Sequence, residues 1–173
     1  MRRFLSDITK LCGMPTRHLS MKTNLADKLS KGITGIAGEY FVAGELSRRG
    51  YMASITLRNN DSIDIHASNL ADNKIFAIQV KTSQYSGRKW PVGQKAENIH
   101  SDNMFYVFVA FKKIDERPEY FIVPSKDVAK QVKDGHKKWL ETPGKKGQAH
   151  KDTSMRQFSD KDGIYLERWD LLK

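Results

Sequence analysis

Four polar side chains occupy positions where a plain core helix or core strand would carry apolar residues. They are Glu39 in an apolar helical stretch, Asp64 in a short β-type run, and Gln79 and Lys81 near the end of the next run. Gln79 and Lys81 are two residues apart, so their side chains share one face of a strand and lie about 7 Å apart. Asp64 alternates with apolar neighbours, which places its carboxylate on the polar face of its own strand. This pattern predicts a functional site rather than a plain core.

The types of these residues suit the hydrolysis of a phosphodiester bond. Asp64 and Gln79 offer side-chain oxygens to a hard divalent cation, and the backbone carbonyl of Val80 would add a third oxygen. Mg²⁺ prefers such ligands, with Mn²⁺ as a substitute, and it acidifies a bound water that can attack phosphorus. Lys81 would orient that water or offset charge on the phosphate, whereas Glu39 would act through a water or accept a proton. For Glu39, an ion pair with a nearby Lys or Arg is the plainer alternative.

The stretch that carries Glu39, residues 32–50, is the strongest helical signal in the chain. Its apolar residues recur at the i, i+3, i+4, i+7 spacing of one helix face. Val42, Ala43 and Leu46 add a second apolar flank, so we expect the helix to be buried on most sides. The residues that define the first face are Ile33, Ile36, Ala37, Tyr40, Phe41 and Gly44.

Strands are predicted over much of the remaining chain. Residues 104–111 are nearly all apolar and predict a central strand that is buried on both faces. Ser125 is expected to cap a short helix that ends near Gln131. The other predicted strands include residues 51–57, 74–81 and 120–123.

The formal net charge of +10 and an isoelectric point near 9.7 make polyanions the natural partners, nucleic acid first and an acidic membrane surface second. A merely basic, solubilising surface is the alternative. Arg88, Lys89, Trp90 and Lys95 combine cations with an aromatic ring and predict a nucleic-acid contact, although Trp90 packed under a loop is the competing interpretation. Lysines are also dense over residues 126–151, which predicts either a surface that faces phosphates or a solvated loop.

Length and composition bound the domain organisation. A chain of 173 residues is long enough for one domain with a full core, which we place at residues 32–173 with a lysine-rich C-terminal region. Residues 1–31 are expected to form an N-terminal helical arm. The single cysteine, Cys12, excludes an internal disulfide, and charged residues interrupt any apolar signal segment at the amino end. No apolar run approaches about 20 residues, so a spanning helix is not expected and a cytoplasmic location is the default.

The order of these motifs resembles the PD-(D/E)xK nuclease superfamily. A helix with Glu39 is followed by a strand with Asp64, and the next strand ends with Gln79 and Lys81. This Q-x-K form is similar to Mrr-type restriction endonucleases. The stretch GEYFVAGELSRRG, residues 38–50, resembles the first helix of archaeal Holliday-junction resolvases. The resemblance covers residues 32–123, a little over half of the chain.

The resemblance implies an α/β fold, with a restriction-endonuclease-like α-β-β-β-α-β core in which helices flank a central mixed sheet. It implies Asp64 as the main metal ligand, Gln79 at the second-ligand position and Lys81 as the catalytic lysine. Glu39 would be the acid of the helix. This chain departs from the pattern at Gln79, where the usual residue is an acid, so the site loses a negative charge and metal affinity should fall. Ile63 stands where proline is usual, which should cost little.

The expected function is therefore a Mg²⁺-dependent endonuclease that cuts DNA, with branched or modified DNA among the candidate substrates. Cutting both strands of a duplex usually needs two sites, so a C2 homodimer is the accompanying expectation. The main alternative is a nucleic-acid-binding module that keeps the nuclease fold without turnover, and a basic scaffold for acidic protein partners is a third possibility. The first two predict salt-dependent binding to DNA. Only the nuclease predicts a metal-dependent product that is lost in Asp64→Ala and Lys81→Ala.

Overall fold

The chain is built around a five-stranded sheet, as seen in a computed structural model that describes residues 29–56, 63–84 and 87–173. Residues 1–28 of the predicted N-terminal arm lie outside the described residues. Two short 3₁₀ turns, Gln94–Glu97 and Trp169–Leu171, accompany the helices and strands. In chain order, the helices and strands are α1 Lys31–Arg48, β1 Tyr51–Ile55, β2 Ile65–Asn69, β3 Ile75–Ser83, β4 Lys89–Gly93, β5 Met104–Ala110, β6 Glu119–Pro124, α2 Ser125–Glu141 and β7 Met155–Ser159.

The main sheet is mixed, with the strand order β1-β2-β3-β5-β6. β3 and β5 run parallel, whereas the other neighbouring pairs are antiparallel. All residues of β5 are buried, as expected for a central strand that is covered on both faces. α1 packs on one face of the sheet, while α2 and a second sheet of β4 and β7 cover the other. The predicted architecture of a mixed sheet flanked by helices is confirmed.

α1 turns the predicted second flank, with Val42 and Leu46, to the sheet and leaves much of the predicted first face exposed. Of the residues expected to be buried, Ile33, Tyr40 and Phe41 are 54%, 67% and 48% exposed. The helix comes closest to β3 at Gly38, where an added Cβ would lie 1.8 Å from Thr82 Oγ1. The predicted burial on most sides is therefore wrong, because the helix packs on the sheet through the side that carries the small residue Gly38 and not through its most apolar side. The buried residues of α1 are Thr34, Gly38, Val42, Glu45 and Leu46.

Glu45 is a buried carboxylate near the end of α1. It is 7% exposed and pairs with the guanidiniums of Arg48, Arg49 and Arg117. Burial by itself raises the pKa of Glu45, but hydrogen bonds and charges from Arg117 and Arg49 outweigh it and hold the pKa below its ordinary value. Arg117 also pairs with Glu167, so the cluster ties α1 to the C-terminal segment.

α2 differs from the predicted short helix in both length and cap. It continues past Gln131 to Glu141, and in this added part His136 pairs with Asp152 and the Trp139 ring stacks on His150. Ser125 does not cap it, since the Ser125 hydroxyl donates to the Ser101 carbonyl at 3.0 Å and accepts from the Ser101 N–H at 3.1 Å. The lysine-rich region is thus helical over residues 126–141, where a loop was the simpler expectation.

The connection from β3 to β5 also departs from the implied order of elements. It contains β4 and a 3₁₀ turn where the resemblance implied a second helix, and α2 follows β6 instead. The physical reason is β7, which pairs with β4 and draws the connection into a second sheet. At the C-terminus, Trp169 and Leu172 enter the core, as expected for a docked terminal segment. Over the described ranges, no helix is long and apolar enough to cross a bilayer.

Candidate active site

The candidate site lies at a fork in the main sheet. β2 pairs with β3 only as far as Ile65 opposite Ile78, whereas β5 continues beside β3 to Ser83. From Gln79 onward, one edge of β3 is therefore no longer paired with β2. Asp64 directly precedes β2 and so lies at the point where the two strands separate.

The side chain of Asp64 closes this edge of β3. Its Oδ2 accepts a hydrogen bond from the backbone N–H of Val80 at 2.7 Å and another from Gln79 Nε2 at 2.6 Å. Gln79 is buried, at 5% exposure, whereas Asp64 is partly exposed. The structure thus brings Asp64, Gln79 and Val80 into direct contact and leaves the carboxylate within reach of solvent.

The donor atoms around Asp64 fit a hard divalent cation. In a strand, the N–H and C=O of one residue point to the same edge, so the Val80 carbonyl faces the fork together with its N–H. One carboxylate, one amide and one carbonyl oxygen form an oxygen set of the kind that Mg²⁺ prefers. Ligation by Gln79 requires its amide to turn over, because the amide nitrogen now faces the carboxylate. Among the described residues, no group of three or more His, Cys, Asp or Glu side chains could hold a metal ion.

Two further side chains lie along the same part of the sheet. Lys81 shares a face of β3 with Gln79 and is partly exposed. Tyr106 of β5 lies beside Gln79 in the parallel register and is 4% exposed. Burial, and then the charge of Asp64, raises the pKa of Tyr106, so its phenol stays protonated at neutral pH. The sequence did not reveal Tyr106, because only the register between β3 and β5 places it beside Gln79.

Glu39 approaches β3 from α1. It follows Gly38, whose Cα lies against Thr82, the residue after Lys81. Glu39 is partly buried, and its helix packs on the face of β3 that carries Val80 and Thr82, whereas Lys81 lies on the opposite face with Gln79. Its role stays a prediction, with the metal-linked role and the ion pair both open.

The predicted nucleic-acid contact around Trp90 needs correction. Trp90 is completely buried, and its Nε1 donates a hydrogen bond to the backbone carbonyl of Val109 at 3.0 Å. Arg88 is half-buried and pairs with Glu119. Lys89 and Lys95 are exposed. The competing interpretation of a packed tryptophan is the correct one, because the pairing of β4 with β7 covers the indole.

Comparisons with known proteins match this chain by structure only. No family model matches the sequence, and no curated protein sequence matches it. Hjc, a Holliday junction resolvase from Archaeoglobus fulgidus, is similar with a TM-score of 0.41 and 12% identity, over 76% of this chain and 86% of Hjc. The bacterial homing endonuclease I-Ssp6803I is similar with a TM-score of 0.47 and 14% identity, over 84% of this chain and 92% of the endonuclease.

Proposed function

We propose that this chain is a divalent-metal-dependent endonuclease that hydrolyses phosphodiester bonds in DNA. The observation that carries the proposal is the arrangement at the sheet fork, where the Asp64 carboxylate is held by Val80 N–H and the Gln79 amide. A lysine, Lys81, follows on the same face of the same strand. A carboxylate, an amide and an ammonium in this order supply both cation ligands and a positive charge for a phosphate.

The residues of the fork would hold Mg²⁺, with Mn²⁺ as a substitute. Asp64, the oxygen of Gln79 and the Val80 carbonyl are the ligands that we assign to it. When bound, the cation would supply an acidified water and would neutralise charge on the phosphate. The hydrogen bond from Val80 N–H holds the Asp64 carboxylate before any substrate arrives, whereas the Gln79 amide must turn over to offer its oxygen to the cation.

The remaining roles fall to Lys81 and Glu39. The ammonium of Lys81 would offset the negative charge that develops on the reacting phosphate. Glu39, a carboxylate on the helix that packs on β3, would accept a proton from the attacking water. The net charge of +10 favours a polyanionic substrate. Branched or modified DNA, and a C2 homodimer that places one site on each strand, belong to the same proposal.

A cleavage assay with two matched lysine variants tests this proposal. End-labelled linear duplex and four-way junction would each be incubated with the protein in Mg²⁺, in Mn²⁺ and in EDTA. Lys81→Ala should reduce the cleavage rate by at least ~10²-fold. Lys74→Ala removes an exposed lysine just before the same strand and should cleave like the wild type. Equal activity in Lys81→Ala and Lys74→Ala would overturn the assignment of Lys81.

A second candidate function has one observation in its favour. The Gln79 amide donates to Asp64, so the fork carries one carboxylate where two acids would attract a cation more strongly. A chain that shifts the mobility of duplex DNA but yields no product in either metal would be a nucleic-acid-binding module. Gln79→Glu would then be the variant to test for a gain of cleavage.

A further inference from the structure

α2 carries a row of lysines along one side, which the sequence did not reveal because a shorter helix was expected. The row is Lys126, Lys130, Lys133 and Lys137, at intervals of four, three and four residues. At 3.6 residues per turn, these intervals confine the four side chains to a sector of about 60°. All four are exposed.

The charges of this row are largely available to a partner. Lys126 forms an ion pair with Asp102 across to the start of β5. Within the described ranges, Lys130, Lys133 and Lys137 make no ion pair. A parallel row of acids lies about 70° further round the helix, which gives the lysine row a sharp border. Those acids are Asp127, Asp134 and Glu141.

The inner side of α2 decides which class of polyanion fits. A helix that lies on a membrane must insert an apolar side into the lipid. The apolar residues of α2, Val128, Ala129 and Val132, are buried against the core and are not free to do so. A phosphate backbone needs only the cations. The row therefore favours nucleic acid over a lipid surface.

The length of the row also matches a nucleic-acid strand. From Lys126 to Lys137 the helix rises about 16 Å, at about 1.5 Å per residue. Each strand of a DNA duplex carries one phosphate per about 3.4 Å of axis, so the row spans about five phosphates. Four flexible lysine side chains can therefore reach successive phosphates of one strand.

We propose that the lysine row of α2 binds the phosphate backbone of duplex DNA. The choice of DNA as the polyanion rests on the proposed nuclease function. The row is a basic surface separate from the predicted contact around Trp90, where the indole is buried and Lys89 and Lys95 are exposed. Contacts of this kind fix the position of a duplex on the protein without reading its sequence.

The test compares two variants with the same change in net charge. Binding of the full chain to a fluorescently labelled duplex would be measured by anisotropy in EDTA, at several salt concentrations. The test variant replaces Lys130, Lys133 and Lys137 by Gln, which keeps helix propensity. The control variant replaces three exposed lysines elsewhere, Lys74, Lys113 and Lys161, by Gln.

We expect the slope of log affinity against log salt to fall by about 3 in the test variant, since each phosphate contact contributes ~0.9. Affinity at about 0.1 M salt should fall by roughly 10²-fold, and the control should bind within a few-fold of the wild type. Equal losses in both variants, or none in either, would overturn the proposal. A test variant that loses binding to phosphatidylserine vesicles but binds the duplex like the wild type would also overturn the proposal.

The same proteins separate this proposal from the nuclease function. A wild type that binds through the row but yields no product in Mg²⁺ or Mn²⁺ would overturn the nuclease alone. A wild type that cleaves, with the test variant binding duplex as tightly as the control, would overturn the row alone.

Discussion

Substitution of Gly38 by Ala perturbs the point where α1 meets the strand of the candidate site. The added Cβ would lie 1.8 Å from Thr82 Oγ1 and 2.9 Å from Thr82 Cβ, where ordinary contacts begin at 3.4 Å. Turning the Thr82 hydroxyl away removes the first clash but not the second. The contact with Thr82 Cβ falls short of 3.4 Å by about 0.5 Å, so the helix and the strand must separate by that distance. If the hydroxyl stays in place, the shortfall at Oγ1 requires a separation of about 1.6 Å.

The separation has consequences for both stability and activity. Overpacking costs ~1–3 kcal/mol, and the better helix propensity of Ala returns about 1 kcal/mol, so we expect a net destabilisation of up to about 2 kcal/mol. Glu39 moves with the helix, and a misplacement of about 1 Å at a reacting centre can reduce the rate by ~10²-fold. Urea unfolding and the plasmid-nicking rate are the measurements.

Gly35→Ala is the matched control, because no heavy atom lies within 4 Å of its added Cβ. It should stabilise the protein by ~0.4–1 kcal/mol and leave activity unchanged. Adding Thr82→Ala to Gly38→Ala should restore part of the loss, because it removes the clash with Oγ1 and leaves the 2.9 Å contact with Cβ. Thr82 Oγ1 is buried without a hydrogen-bond partner in the described part of the chain, so its removal should cost little. A Gly38→Ala variant as stable and active as Gly35→Ala would refute the reasoning.

Three further predictions address the fork, the arginine cluster and the core. Gln79→Glu places two carboxylates together, so it should lower the Tm in EDTA. Mg²⁺ should raise the Tm of this variant more than that of the wild type, and an equal rise in both proteins would contradict the ligand assignment. Glu45→Gln should cost about 2 kcal/mol by urea unfolding, against less than ~0.5 kcal/mol for the exposed Glu116→Gln. Because the folded pKa of Glu45 is depressed, its contribution to stability holds above the unfolded pKa and is lost as pH falls through the folded value. A cost for Glu45→Gln that does not shrink as the pH is lowered through the acidic range would contradict this. Trp90→Phe should destabilise by about 1–2 kcal/mol with duplex affinity unchanged, whereas weaker binding without lost stability would restore its predicted role.

The strands and the shared strand face of Gln79 and Lys81 could be predicted from the sequence because they depend on short-range order. Side chains two residues apart lie on the same face of a strand, so the sequence predicts that Gln79 and Lys81 share a face. The uniformly apolar composition of β5 likewise marks a strand covered on both sides. These features need no knowledge of distant partners.

The features that the sequence missed depend on partners far along the chain. Trp90 is buried because β4 pairs with β7, whose residues lie more than 60 positions away. The orientation of α1 is set by the fit of Gly38 against Thr82, and a helical period cannot reveal which face meets the sheet. Tyr106 lies near Asp64 only through the register of a parallel pair. Tertiary contacts, rather than local preference, decide all three.

The most direct measurement is the conversion of supercoiled plasmid to open circles by the wild type and by Asp64→Ala. Reactions would run side by side in Mg²⁺ and in EDTA, with duplex binding and far-ultraviolet circular dichroism recorded for both proteins. We expect nicking by the wild type in Mg²⁺ only, and at least ~10² less by Asp64→Ala despite retained fold and binding. Nicking that persists in EDTA, or that is the same in Asp64→Ala, would contradict a metal-dependent nuclease site at the sheet fork.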